Sequence, residues 1–447
     1  MRCSKSYRSQ QFEILSNCSP RISSDTSQKS LKKADQNKLK SIGQYKTQLP
    51  GSTKSEKDEY IALEEVSLDC SSILDFLTRW GLFVGNLLCQ FIGAYVWLTQ
   101  SAIEKETKIF YHSSMSSYEY RLLNEGYLYI YILTGAFGTY YCGKNLLVST
   151  IIPPFCLTIG VIIIYMAGGN YWYSILGHFF ASLAQAFMFP APATIADRYF
   201  SKSQEPYILT IPIFVNMLGN GFALWFCAWL MDDAEEIEII NQRMEMIHFV
   251  GIAGGLLALL SIIPYLIRPP KVLKKNNGNV QTTFREIDDA IGFWDSTKLC
   301  FKDKMSFLNL IMGSMTISCW WAFMTISSSA MKSFGYSDSF VGLVGFSYFI
   351  FGAVMGLLVV KVFEVKLDIG LRLTYFIQIT SWVAFFCLKF FWKEYDWTPE
   401  DEWFTYCIIF FYLLIGGSSM SIMGIFMNSC LVINYPISEA MSTGNIL

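Results

Sequence analysis

The sequence predicts an all-α, polytopic membrane protein, and three observations predict it. Ten apolar stretches follow one another, most of about 20 residues with few or no charges, the length a helix needs to cross ~30 Å of hydrocarbon. Hydrophobic residues make up 53% of the chain and aromatic residues 16%, against 16% charged, far from the balance of a water-soluble domain. Backbone groups in lipid have to bond within their own segment, so the stretches are helices. A bundle with little outside the membrane belongs to a transporter, a channel or a receptor.

Residues 1–75 are rich in Ser, Lys, Gln and Asn without an apolar period, and read as a disordered cytoplasmic tail. No secretory signal core follows the first basic residues. Span 1 (80–101) carries Asn86, Gln90 and Trp97, and span 2 (127–143) runs into a short loop at Lys144. Span 3 covers 146–168. Span 4 (172–196) holds His178 and Gln185, then Pro190 and Pro192, which remove helix N–H donors and let the helix bend around a cavity. Span 5 (208–231) contains Asn216, Asn220 and Trp225, and span 6 (246–267) completes an expected six-helix bundle over 76–267. The connection 268–305 opens with Arg268-Pro269-Pro270. Its Phe284, Ile287, Ile291 and Trp294 recur at three- and four-residue spacing, predicting an amphipathic helix on the inner membrane surface. Spans 7 to 10 (306–330, 340–360, 371–392, 404–430), with the start of an eleventh, form an incomplete second bundle over 306–447.

Loop charge gives an orientation. With the N-terminus inside, the inner loops hold Lys144, Arg198, Lys202, eight basic residues from Arg268 to Lys304, Lys361, Lys366 and Arg372. The outer loops hold half as many, and one of them concentrates Asp232, Asp233, Glu235, Glu236 and Glu238. Basic residues gather on the cytoplasmic side, so the N-terminus is expected there.

Inside the spans charges are nearly absent, so nothing resembles a proton relay or a gating-charge helix. The uncharged amides can each bond a neighbouring helix. Trp97, Trp225, Trp320 and Trp321 lie deep in their spans. Trp faces with amides and no carboxylate suit an organic cation held by cation–π attraction, although core packing is the commoner use of such a residue. The 12 cysteines are scattered without a CxxC pair, as small buried apolar residues are. No HExxH, phosphate loop or paired Cys/His spacing is present, so no enzyme, cofactor or metal is expected. The expected partners are a small-molecule substrate and the lipid bilayer, with no nucleic acid, and the expected state is a monomer.

Six spans, a cytoplasmic linker and a second group suggest the major facilitator architecture of two six-helix bundles, with about ten of an expected twelve spans present. The segment GHFFASLAQAFMFPAPATIADRYF (177–200) sharpens this. It resembles span 4 of the feline leukaemia virus subgroup C receptor-related transporters, solute carrier family 49, at Gly177, Gln185, Phe187, Pro192, Ala193, Ala196 and Phe200. The likeness continues through Phe214, Asn216, Leu218 and Gly219, and returns in NYPISEAMSTG (434–444) and AYVWLTQSAI (94–103). It runs discontinuously from about residue 79 to Leu447 and ends before the family's span 11 amide, so the chain reads as truncated.

The resemblance implies a carrier of choline, ethanolamine, haem or another small organic solute in a plasma or internal membrane. It places Trp97 and Gln185 at the substrate. The family's span 7 Tyr has no clean counterpart, and Trp320 or Trp321 is expected to supply that aromatic face, Trp321 being preferred. Pro192, Asn216, Gly219 and Lys144 are expected in gating or structural roles. Gly143 stands where the loop after span 2 normally has an acid, which weakens the expected charge pairing with Lys144. Only His112, His178 and His248 are available, so a choline-like cation is favoured slightly over haem.

Overall fold

A computed structural model describes residues 70–112, 114–201, 204–270, 304–362, 367–395 and 401–433, with isolated positions 294, 298 and 301 between them. Residues 73–447 make one compact unit; of the other, 1–72, only 70–72 are described. The expected disordered tail, the linker helix around 284–294 (apart from position 294) and the 434–444 motif lie outside the described residues.

All described secondary structure is helical. The long helices are α1 (Cys70–Ala102), α3 (Ser117–Lys144), α4 (Leu146–Met166), α5 (Tyr171–Met188) continued by α6 (Ala191–Tyr199), α7 (Glu205–Met231), α8 (Ile237–Ile267), α9 (Lys304–Lys332), α10 (Asp338–Val362), α11 (Leu367–Tyr395) and α12 (Glu402–Ile433). They coincide with the ten predicted spans. Eight are long and apolar enough to cross a membrane by themselves. The two outside that set are α3, with tyrosines from Tyr118 to Tyr141, and α9, rich in Ser and Thr. A helix that lines a polar path does not need an apolar surface all round, and these two carry residues of the candidate site.

Local chemistry sets the helix ends. At α3, Ser116 Oγ accepts from the Glu119 N–H at 3.2 Å, while the Ser116 N–H donates to Glu119 Oε2 at 2.8 Å, a capping box. Those Ser116 bonds, the backbone one first, hold the Glu119 carboxyl below its ordinary range. At α5, Asn170 Oδ1 accepts from the N–H groups of Trp172 and Tyr173, after a turn through Gly168 and Gly169 at φ of 54° and 88°. A short helix between the first two spans, α2 (Glu104–Tyr111), follows α1 and buries Glu106, Thr107 and Tyr111. Desolvation pushes the Tyr111 phenol up to about 12.

Between helices, bare backbone meets bare backbone, as expected where lipid supplies no hydrophobic drive. A Cβ on Gly160 of α4 would lie 2.6 Å from the Gly177 carbonyl of α5, and one on Gly342 of α10 would lie 2.6 Å from the Leu224 carbonyl of α7. The second contact joins the first six spans to the later ones.

Candidate functional site

Two features converge on the middle of α1. The first is a polar node created by proline. Pro192 has no N–H, so the carbonyl four residues earlier, Met188, loses its helical partner. The continuous span breaks there, α5 ending at Met188 and α6 starting at Ala191 with Pro190 as its N-cap. Backbone polar groups inside a membrane have to be satisfied, and α1 does so. Gln90 Nε2 donates to Met188 O at 2.8 Å, and Asn86 Nδ2 donates to the same oxygen at 3.2 Å. Asn216 of α7 then donates to Gln90, at 3.1 Å to its backbone oxygen and 3.2 Å to its side-chain oxygen. One helical turn along α7, Gly219 lies directly against the Phe91 carbonyl. Pro192, Asn216 and Gly219 are thus brought together at one junction of α1, α5–α6 and α7.

The second feature is aromatic. Trp97, on the turn after Phe91, is buried and stacks on Tyr127 of α3 with centroids 6.3 Å apart and planes 13° from parallel. Trp321 of α9 meets Trp97 at 5.6 Å and Tyr131 of α3 at 6.4 Å. Tyr131 also meets Phe189, the C-cap residue of α5, at 5.9 Å. Gln185 lies on the same stretch of α5, flanked by Ser182, whose hydroxyl donates to the Tyr127 carbonyl, and by Phe189. The cluster therefore joins Trp97 and Trp321 across the boundary between the first six spans and the later ones, and Gln185 lies one helical turn before its Phe189 on α5.

Two polar atoms here have no hydrogen-bond partner: the indole Nε1 of Trp97, a donor, and Oε1 of Gln185, an acceptor. Both residues are nearly fully buried. An unmet buried group costs about 1–3 kcal/mol. With Trp97 and Trp321 centroids 5.6 Å apart, a cation does not fit between the rings.

The other candidates separate. Trp320, adjacent in sequence to Trp321, is buried beside Tyr348 of α10. Trp225 stacks on Trp229 and on Phe346 of α10, away from the cluster. Lys144 is exposed at the end of α3, its ammonium 4.6 Å from the Tyr140 ring centroid, more than three turns beyond Tyr131 on the same helix. Tyr127, Tyr131 and Phe189 escaped the sequence reading; the i, i+4 pair on a tyrosine-rich span was the available signal. At the other end of the bundle Lys332 Nζ donates to the Ala102 carbonyl at 3.1 Å and to Asp338 Oδ2 at 3.0 Å. It ties the end of α9 to the last carbonyl of α1.

Comparison with known proteins agrees with this architecture. A bacterial homologue of the human lysosomal transporter Spinster, in an inward-facing unoccupied conformation, superposes with a TM-score of 0.58 at 16% identity, covering 83% of this chain and 78% of its own. The xylose transporter XylE from E. coli, partially occluded and inward open, gives 0.53 at 11% identity over 82% and 88%. The nucleoside transporter NupG gives 0.52 at 14% identity over 82% and 86%. At these identities the likeness concerns the fold alone. None of the curated proteins matches the chain. The sequence model described as Major Facilitator Superfamily matches residues 81–445, most of the chain, and the protein belongs to the major facilitator superfamily.

Proposed function

We propose that the protein is a carrier that moves a small organic solute by alternating access, with a choline- or ethanolamine-like cation favoured. The observation that carries the solute class is the Trp97, Tyr127, Tyr131 and Trp321 cluster, which straddles the boundary between the two groups of spans, with Gln185 on the stretch of α5 that leads to it. Aromatic faces attract a desolvated ammonium by roughly 2 kcal/mol each, and the amide oxygen would accept a hydrogen bond from a hydroxyl or amine. The resemblance to solute carrier family 49 at 177–200 supports the same class. Loop charge supports a cytoplasmic N-terminus, in a plasma or internal membrane. The domain division at 76–267, 268–305 and 306–447 is retained as part of this reading.

The test is uptake of labelled choline by proteoliposomes holding the full chain. Saturable uptake is expected, with Trp97→Ala and Trp321→Ala each lowering it about tenfold or more, the equivalent of losing one cation–π contact. Binding without flux would make the protein a sensor built on a carrier fold. Competition by haem or hexoses, with none by choline, would move it to another solute class.

A further inference from the structure

Tyr131 of α3 stands where the first six spans meet the later ones. Its ring meets Trp321 of α9 at 6.4 Å between centroids and Phe189, at the end of α5, at 5.9 Å. Tyr127, one turn earlier on the same face of α3, stacks on Trp97. These contacts account for the Tyr131 ring but not for its hydroxyl.

Other buried phenols of the first six spans spend their hydroxyls on backbone carbonyls. Tyr95 donates to the Ile247 oxygen at 2.9 Å, Tyr120 to the Gln100 oxygen at 2.9 Å and Tyr127 to the Gly93 oxygen at 3.2 Å. Tyr131 is as buried as these, 4% exposed, yet its hydroxyl has no hydrogen-bond partner among the described residues. Phenylalanine would make the same ring contacts without taking a polar group into the bundle, a burial that costs free energy unless the group is hydrogen-bonded. The Gln185 oxygen, one turn before Phe189, can only accept, so a solute hydroxyl that donates to it still needs a donor of its own. A phenol supplies one.

We propose that Tyr131 is a specificity-determining residue of the carrier: its phenol pairs with a hydroxyl two carbons from the solute's ammonium, while the ring faces of the cluster hold the charge. This inference rests on the organic-cation reading above and narrows it, from ammonium ions in general to 2-hydroxyethylammonium compounds. Aromatic faces attract an ammonium whether or not it carries a hydroxyl, so the rings alone do not discriminate. A site that hydrogen-bonds a solute hydroxyl rejects the analogue lacking it, because the protein's own polar group is then left unpaired.

The matched probe is n-propyltrimethylammonium, in which a methyl group replaces the hydroxyl of choline and the charge and length are kept. Proteoliposomes holding the full chain are given labelled choline, with unlabelled choline or n-propyltrimethylammonium as competitor. The native protein is expected to prefer choline about fivefold, the equivalent of one hydrogen bond. Tyr131→Phe keeps the ring and should bring that ratio to about one. Tyr127→Phe is the comparison: its hydroxyl is spent on Gly93, so the ratio should stay at the native value whatever happens to the rate. A Tyr131 that only packs would alter uptake without altering the ratio, and an unchanged ratio in Tyr131→Phe overturns the inference. If Tyr131→Phe does not fold, the native ratio decides, and equal competition by the two compounds overturns it. Uptake of choline without preference sinks this inference alone, whereas neither uptake nor competition by either compound sinks the organic-cation reading and this inference with it.

Discussion

At the scale of single residues, the missing N–H of Pro192 has the longest reach. It frees the Met188 carbonyl, and the carbonyl in turn fixes Gln90, Asn86 and, through Gln90, Asn216. Gln90→Leu should cost about 1 kcal/mol, because the Met188 carbonyl keeps only the longer bond from Asn86 and Asn216 loses its side-chain acceptor. Pro192→Ala restores the N–H that an unbroken helix would bring to the Met188 carbonyl. The double variant is therefore expected to be more stable than the sum of the single ones by about 1 kcal/mol. Thermal unfolding of all four proteins in one detergent measures this, and strict additivity would mean that the carbonyl is not shared. Part of the site was legible in the sequence. Gln90, Asn216 and Gln185 stood out as amides in apolar runs, and Trp97 stood out through its motif. The Met188 oxygen was not legible, since a backbone atom leaves no mark in composition. Tyr127 and Tyr131 were hidden for a related reason: which face of a tyrosine-rich helix turns inward depends on tertiary packing.

At the scale of elements, the ten spans were legible because apolar length is a one-dimensional signal, and the division of span 4 into α5 and α6 falls where its two prolines lie. Helix α2 was not legible, because eight residues with four charges read as loop. The contact of α7 with α1 rests on Gly219, where the obstacle to any side chain is the Phe91 backbone, which cannot rotate away. Gly219→Val should destabilise by about 1–3 kcal/mol through overpacking. Gly126 of α3 is the control: a Cβ there meets only Leu122 Cδ1 at 3.8 Å. Gly126→Ala should leave stability unchanged or raise it by up to about 1 kcal/mol through helix propensity. Midpoint temperatures that move together would show that close approach is not what holds α7.

At the scale of the whole molecule, carriers of this fold work by rocking one group of helices against the other, and the contacts between the groups weight the conformations. Lys332 supplies such a contact at the Ala102 end of α1, where its charge also meets the negative pole of the helix. A charged hydrogen bond contributes about 1.5–3 kcal/mol. Lys332→Met should therefore shift the open-to-closed ratio at that end roughly tenfold or more toward open. Spin labels on the ends of α1 and α10 would read the shift as a longer distance distribution, and an unchanged distribution would show that the Lys332 bond does not hold the two groups of spans together. The aromatic cluster offers an optical counterpart. Trp97 and Trp321 lie 5.6 Å apart with planes tilted by 56°, close and skewed enough for their indole transitions to couple as one exciton. The protein should then carry a bisignate near-ultraviolet circular dichroism band that Trp321→Phe removes, so the pair is a native optical reporter of the spacing between α1 and α9.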